Sequence, residues 1–464
     1  MNFDKIWNDT LAFEFDSKTD NYGFTVRLAK ENYWTYEFTQ KAILEYKKFM
    51  FLAATNDEMV SPSEIVDTVW HQHLIFTKSY NKFCKLLGKK IQHVPSTHNK
   101  EDFETFSNAK KRTKELYFEN FGVQDKSIWE YSSMFDSLNL KKSNFKLRTA
   151  LIIGLNIFVI LSIPFYFLLK PFYTTVDSEE FFIGIILLSI AAFGFLSFYN
   201  HSKFSQLIKN FDKSSFVFDL LPSELVFLKN DGLKDSILML INKMVDDKSL
   251  YFLNDKLYVS THAKANSNEE AEIVRQIKKA NKGLTYLETF QLLSSTPLFN
   301  NIPNVMLAFK KYIFKSNFFA KLFLMNFSIL NIVLLLSFTR IVTGFARDKP
   351  ILYITIFTII LAISIIFYLI FLINLFFQNI LPRHYHSYVS EETKSSLDWQ
   401  FLFVGTAVLV PAVVTSKNAF YSMPQNNSGA HNSCGSGNSD SSCGSSCGSS
   451  CGSGCGGCGG GGGD

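Results

Sequence analysis

The sequence lacks the glycine and serine motifs by which the common nucleotide-binding and hydrolytic sites are recognised. No P-loop, nucleophile elbow or dinucleotide-binding glycine pattern is present, and Gly283 and Gly344 stand alone. Because no motif assigns a reaction, the function has to be inferred from the organisation of the chain and from its less common residue clusters.

Charged side chains are absent from four apolar stretches, residues 149–169, 181–199, 322–339 and 351–377. Each reaches the roughly 17 to 25 residues that a helix needs to cross a hydrocarbon core of about 30 Å, so four membrane-spanning helices are predicted. None carries an ionisable group near its centre, which argues against a proton-coupled transporter. The polar residues that we expect to bond between these helices are Asn156, Asn326, Asn331 and Asn374.

An apolar signal segment is also absent, since Met1 to Thr10 contain no hydrophobic run. Basic residues flank the first three spans, which places the N-terminal and middle regions in the cytosol. The second short loop, with Arg340, Arg347 and Lys349, fits this rule less well. The flanking basic residues also explain most of the net charge of +5, which therefore gives no reason to expect nucleic-acid binding. They are Lys141, Lys142, Lys146, Arg148, Lys203, Lys209, Lys213, Lys310, Lys311, Lys315 and Lys321.

Cysteine is nearly absent from the first 433 residues, where Cys84 stands alone. The other six of the seven cysteines lie in the last 31 residues, within a Ser/Gly-rich run. Residues 417–464 have too few apolar side chains to offset their ordering entropy and are predicted to be disordered. Three roles stay open for this tail: a soft-metal thiolate site, a substrate for heterocycle-forming maturation, or a flexible polar extension.

The predicted fold is mostly α, with a helical soluble domain, four to five transmembrane helices, a winged-helix-like middle domain with a small β-hairpin, and a disordered tail. Phe401 to Val414 is either a fifth span or an interfacial or core segment. The sequence does not decide between them, because the segment is only 14 residues long and contains Pro411. The side of the membrane on which the tail thiols lie, and so their redox state, depends on that span. The predicted segments are 1–140 for the soluble domain, 149–199 and 322–377 for two spans each, 201–317 for the cytosolic middle domain, 401–416 for the fifth membrane segment and 417–464 for the tail.

Within the soluble domain, Ser61-Pro62-Ser63-Glu64 combines a capping serine, proline at the first helical position and glutamate at the third, which predicts a helix start. Further helices are predicted over 34–54, 74–87 and 100–120, and Gly88 should end the helix before it.

In the middle domain, a helix from Leu221-Pro222 and a second over Leu233–Val245 precede two short strands around Asn254-Asp255, a pair typical of hairpin turns. Helix, helix, hairpin is the order of a winged helix, whose second helix reads DNA. Here that helix has two lysines against three aspartates in or just after it, so we predict protein partners and no nucleic acid.

The densest group of reactive side chains is formed by His71 and His73 with Cys84 and His93 further along the chain. Imidazole and thiolate are common zinc ligands, so these four are the predicted metal ligands, with zinc as the candidate cofactor. Asp67 lies four residues before His71 on the same helix face and is predicted to orient it. A structural role stays open, because His73 is rotated about 160° from His71 on a continuous helix and no H-E-x-x-H or C-x-x-C pattern occurs.

The run from Val66-Asp67 to Trp70-His71-Gln72-His73, followed by Tyr80, Cys84, Gly88 and His93, resembles the V-D-x-x-W-H-x-H signature of an uncharacterised family of bacterial multi-pass membrane proteins with a Gly/Cys/Ser-rich end. Plant glycine-rich-domain proteins have a related signature. The resemblance implies a bacterial inner (plasma) membrane protein, and the basic residues that flank the spans predict that its N-terminus is cytosolic. It implies no activity, because the family has none established.

Three hypotheses follow from the sequence. The first is a non-enzymatic scaffold or sensor that acts through protein contacts. The second is a membrane-anchored metal-dependent enzyme, which requires the predicted ligands to converge on a solvent-accessible cleft, whereas the scaffold allows them to be dispersed or sealed in a core. The third makes the thiol-rich tail the functional part, so that deletion of residues 430–464 would abolish function.

Overall fold

The chain is described by a computed structural model that covers residues 3–16, 22–94 and 100–422. The predictions for the cysteine-rich tail lie outside the described residues. The helices are α1 (Phe3–Ala12), α2 (Phe24–Asn32), α3 (Tyr36–Thr55), α4 (Glu64–Ile75), α5 (Thr77–Leu87), α6 (Lys100–Phe121), α7 (Lys126–Trp129), α8 (Leu147–Thr175), α9 (Ser178–Lys209), α10 (Pro222–Asn230), α11 (Leu233–Asp246), α12 (Asn268–Lys279), α13 (Tyr286–Ser294), α14 (Pro297–Phe314), α15 (Asn317–Phe345), α16 (Leu352–Leu375), α17 (Leu381–Tyr388), α18 (Glu391–Lys394), α19 (Leu397–Val404) and α20 (Pro411–Ser422). The strands are β1 (Leu250–Leu253), β2 (Lys256–Val259) and β3 (Leu284–Thr285), so the predicted mostly α fold is confirmed.

The N-terminal helices follow the sequence signals closely, with one exception. The helices predicted over 34–54, 74–87 and 100–120 are α3, α5 and α6, and Gly88 ends α5 with φ of 74°. The predicted start of α4 at Ser61 is wrong, because the cap is Ser63, whose hydroxyl accepts a hydrogen bond from Val66 N at 3.2 Å. Ser61 is tied to α6 instead, since its N–H donates to Thr113 Oγ1 at 2.8 Å.

The middle domain contains the predicted helix pair and hairpin. β1 and β2 pair antiparallel from Leu250↔Val259 to Leu253↔Lys256, and β3, which the sequence did not indicate, extends the sheet beside β2. Asn254 and Asp255 form the turn with φ of 51° and 59°, the left-handed conformation that a tight hairpin requires. Every described side chain of α11 except Asp246 is at least partly buried, so the helix that would read DNA in a winged helix is enclosed by protein.

The N-terminal and middle domains pack directly on each other. Asn301 on α14 donates to the Trp34 carbonyl at 3.2 Å, and Lys126 pairs with Asp212 at 2.6 Å. Ser137 adds two further contacts, since its hydroxyl lies 3.0 Å from the Ser215 hydroxyl and its carbonyl accepts from Asp212 N at 3.1 Å. The two domains therefore belong to one compact unit.

Four described helices are long and apolar enough to cross a membrane, as predicted: α8, α9, α15, and α16 with its continuation to Tyr388. Asn326 of α15 exchanges two hydrogen bonds with Asn200 of α9, at 2.8 and 2.9 Å, which confirms the predicted bond between helices. For Asn156 and Asn331 the same prediction is wrong, because each side-chain amide donates to the carbonyl one turn earlier in its own helix.

The segment from 401 to 416 is divided between α19 and α20 and lies against the middle domain. Phe401, Leu402 and Val413 are buried. The side chain of Asn242 on α11 donates to the Val408 carbonyl at 3.2 Å and accepts from Val410 N at 2.8 Å. These contacts hold the segment on α10 and α11, which favours the interfacial or core alternative over a fifth span.

Replacement of Asn242 by alanine is expected to release this segment, because the partly buried backbone groups of residues 408 and 410 would lose their partner. A loss of about 1 to 3 kcal/mol in local stability follows from leaving such groups unpaired. Hydrogen–deuterium exchange of peptides over 397–410 should become faster. Asn230→Ala, on an exposed side chain bonded to Asp235, serves as the control, and equal exchange in both variants would contradict the role of Asn242.

Candidate metal centre

Asp67 and His71 lie one turn apart on α4 and face the same direction, as the spacing of four residues requires. Ser63 caps the helix, so Asp67 belongs to its first turns and is held in regular helix geometry. The distance from His71 Nε2 to Asp67 Oδ2 is 3.3 Å. This is the contact that the sequence predicted.

His93 reaches the same carboxylate from the segment that follows α5. Its Nε2 lies 2.9 Å from Asp67 Oδ1, and its ring packs on Trp70 with centroids 4.6 Å apart. The segment is fixed by Tyr80, whose hydroxyl donates to the Ile91 carbonyl at 2.5 Å, and by Lys89, whose ammonium donates to the Asn56 carbonyl at 2.5 Å. The position of His93 is therefore set by tertiary contacts.

Asp67, His71 and His93 offer three donor atoms that all lie within 4.8 Å of one another. Ligand atoms around a tetrahedral zinc ion lie about 3.3 Å apart, given metal–ligand bonds of about 2.0 to 2.1 Å. The Asp67–His distances of 3.3 and 2.9 Å, each to a different carboxylate oxygen, are near that value, and His71 has room to turn toward the ion because its side chain is 59% exposed. The donor set and its spacing thus fit a metal ion with small side-chain adjustments.

A cleft with a volume of about 430 Å³ adjoins these residues. Asp67 and His93 line its wall together with Trp70. Glu64, one turn before Asp67, and Lys90 also face the cleft. An ion held by the three residues would therefore be accessible to a small polar molecule.

His73 points away from this cluster into the protein core and is fully buried. Its Nδ1 lies 2.9 Å from the Tyr46 hydroxyl and its Nε2 lies 3.1 Å from the Ser79 hydroxyl, so both ring nitrogens are engaged. Phe15 packs edge-on against the ring at 4.8 Å between centroids. Burial lowers the pKa of His73 to about 3, so it is neutral at pH 7.

Cys84 is also sealed in the core, beside Tyr46 and Tyr80. The structure therefore brings together two of the four predicted ligands, His71 and His93, and separates His73 and Cys84 from them. It adds Asp67, which contacts both imidazoles rather than His71 alone. The interval of four residues indicates the contact with His71, but no local signal in the sequence places His93 beside the same carboxylate.

Comparison with known proteins adds one match. The N-terminal domain is similar to the UCP032817-like family, whose sequence model matches residues 23–128. The matched region contains the whole cluster, but the family is uncharacterised and transfers no activity. No curated protein and no solved structure matches the chain.

Proposed function

We propose that this chain is a multi-pass membrane protein whose N-terminal domain binds a divalent transition-metal ion, zinc first, through Asp67, His71 and His93. The observation that carries the proposal is the convergence of these three side chains within 4.8 Å beside an open cleft. Two imidazoles with a carboxylate are a donor set that zinc accepts in proteins. His73 and Cys84 have no part in the site.

The open cleft favours a metal-dependent reaction over a purely structural metal. Structural zinc sites are closed by four protein ligands, whereas catalytic sites have three and leave a position for water. A bound ion would supply a water of lowered pKa, and hydrolysis is the reaction class that we propose. The chain's own contribution is to gather the two imidazoles at the Asp67 carboxylate before an ion binds, to place Trp70 as an apolar wall, and to present Glu64 beside the cleft.

A scaffold or sensor that acts through protein contacts is the second candidate. It is favoured by the direct packing of the N-terminal domain on the middle domain, for example Asn301 on the Trp34 carbonyl. That packing gives occupancy of the N-terminal site a physical route to the membrane helices. We further propose a bacterial inner membrane location with both domains in the cytosol, supported by the basic residues that flank their ends of the spans.

Elemental analysis of the full-length protein tests the metal site. Since the six tail cysteines can bind zinc themselves, the measurement uses a chain in which Cys434, Cys443, Cys447, Cys451, Cys455 and Cys458 are replaced by serine. We expect about one zinc per chain, in line with one three-donor site. His71→Ala and His93→Ala should each lower the affinity at least about tenfold.

His262→Ala is the matched control, because His262 is an exposed histidine on a loop of the middle domain and should leave zinc binding unchanged. Zinc binding that survives both His71→Ala and His93→Ala would refute the proposed site. Zinc loss in the chain without tail cysteines, with His71 and His93 intact, would assign the metal to the tail instead.

A further inference from the structure

An apolar groove of about 370 Å³ runs between α8 and α15 in the membrane-spanning part of the chain. Gly154 brings the two helices close, since a Cβ atom at this position would lie 2.2 Å from the Phe327 ring. Phe145 and Leu324 line the groove at one end and Leu335 lies at the other. Both helices start on the side of the soluble domains, so the groove begins there and extends into the bilayer.

A short antiparallel bridge joins the starts of these two helices. Ser143 N donates to the Lys315 carbonyl and Asn317 N donates to the Lys141 carbonyl, each at 2.8 Å. Six exposed cations lie along the chain within the bridge or shortly after it, next to the residues at which the groove begins. They are Lys141, Lys142, Lys146, Arg148, Lys315 and Lys321.

No carboxylate belongs to either stretch of chain. The sequence contains no Asp or Glu between Asp136 and Asp177, and none between Glu288 and Asp348. Lys146 directly follows Phe145, and Lys321 comes one turn before Leu324, so cations lie where the apolar lining begins. An apolar channel with a cationic mouth is complementary to a molecule that has an acyl chain and an anionic head.

We propose that this groove binds an anionic phospholipid of the bilayer. One acyl chain lies between α8 and α15, and the phosphate lies between Lys146 and Lys321. The charge of the mouth selects an anionic over a zwitterionic headgroup, because basic clusters next to spanning helices attract anionic lipids. The site is independent of the metal centre, which lies in the N-terminal domain.

Native mass spectrometry of the full-length protein in detergent tests the lipid site. Titration with dioleoyl phosphatidylglycerol should give one tightly retained lipid per chain, and dioleoyl phosphatidylcholine should be retained far less. The double variant Lys146→Gln/Lys321→Gln should bind phosphatidylglycerol about 30-fold more weakly, from the loss of two cations near the membrane surface. Ser328→Phe, which fills the groove without changing charge, should also displace the lipid.

Two matched controls test whether the effects are specific to the groove. One removes positive charge elsewhere, and the other adds a phenylalanine ring outside the groove. Lys209→Gln/Lys213→Gln removes two exposed lysines near the end of α9. Ser364→Phe places the same ring on a half-buried serine of α16 that does not line the groove. Both should retain the lipid. Equal loss in the controls, or equal retention of the two lipids, would overturn the proposal. Full competition by glycerol phosphate alone would also overturn it, since the site would then bind free phosphate rather than a lipid.

Discussion

Replacement of Glu45 by alanine is expected to lower the free energy of unfolding of the N-terminal domain by about 3 to 5 kcal/mol, as removal of one member of a buried charged network does. Glu45 lies on α3, is only 3% exposed and contacts residues of α6 and α7. Its Oε2 accepts hydrogen bonds from the Tyr117 hydroxyl at 2.8 Å and from Trp129 Nε1 at 2.7 Å. Its Oε1 pairs with Lys48 at 2.8 Å. The substitution would leave all three donors without this acceptor.

Urea unfolding followed by tryptophan fluorescence measures the effect, because Trp7, Trp34, Trp70 and Trp129 all lie in the N-terminal domain. Glu58→Ala is the control. Glu58 pairs with Arg112, but its side chain is 68% exposed, so solvent screening limits its contribution to about 1 kcal/mol or less. Similar losses in the two variants would show that Glu45 does not hold α3, α6 and α7 together.

Acid is expected to destabilise the N-terminal domain through His73. Burial lowers the pKa of this imidazole from 6.5 to about 3, so the folded protein keeps it neutral while the unfolded chain takes up a proton below pH 6.5. The unfolded state then binds more protons, and stability falls as the pH is lowered. Because a single group titrates, the free energy of unfolding should fall by about 1.4 kcal/mol for each pH unit between pH 6.5 and 3.

The His73 contribution is isolated by comparing the wild type with His73→Gln, which has a polar amide but no proton to gain. Buried Glu224 and Glu269 have pKa values raised by burial, and they act in the opposite direction, so only the difference between the two proteins is informative. The wild-type free energy of unfolding should fall more steeply than that of His73→Gln below pH 6.5. Parallel curves for wild type and His73→Gln would contradict a buried neutral His73.

Local signals in the sequence predicted most of the secondary structure. Asn254-Asp255 predicts the hairpin because both residues tolerate a left-handed backbone, and Gly88 predicts the end of α5 for the same reason. The apolar runs predict the four spans because their length is set by the bilayer. The sequence signal places the cap of α4 two residues too early, because the backbone N–H and carbonyl of Ser61 are hydrogen-bonded to the Thr113 hydroxyl of α6.

The candidate site was only half predictable, for a physical reason. The i, i+4 interval places Asp67 beside His71, and the helical rotation of His73 already indicates a different face. Which face meets the core depends on tertiary packing, and here Tyr46 and Ser79 take both nitrogens of His73. The position of His93 depends on Tyr80, which donates to the Ile91 carbonyl, and on Lys89, which donates to the Asn56 carbonyl. Their spacing in the sequence matches no motif that would predict these contacts.

The most direct test of the metal centre is the zinc K-edge X-ray absorption spectrum of the full-length protein without tail cysteines. The proposed site predicts nitrogen and oxygen ligands at about 2.0 to 2.2 Å, with outer scattering from two imidazoles and no sulfur. A sulfur ligand at about 2.3 Å would place the ion at Cys84, the one cysteine left in that chain, and would contradict a centre built from Asp67, His71 and His93.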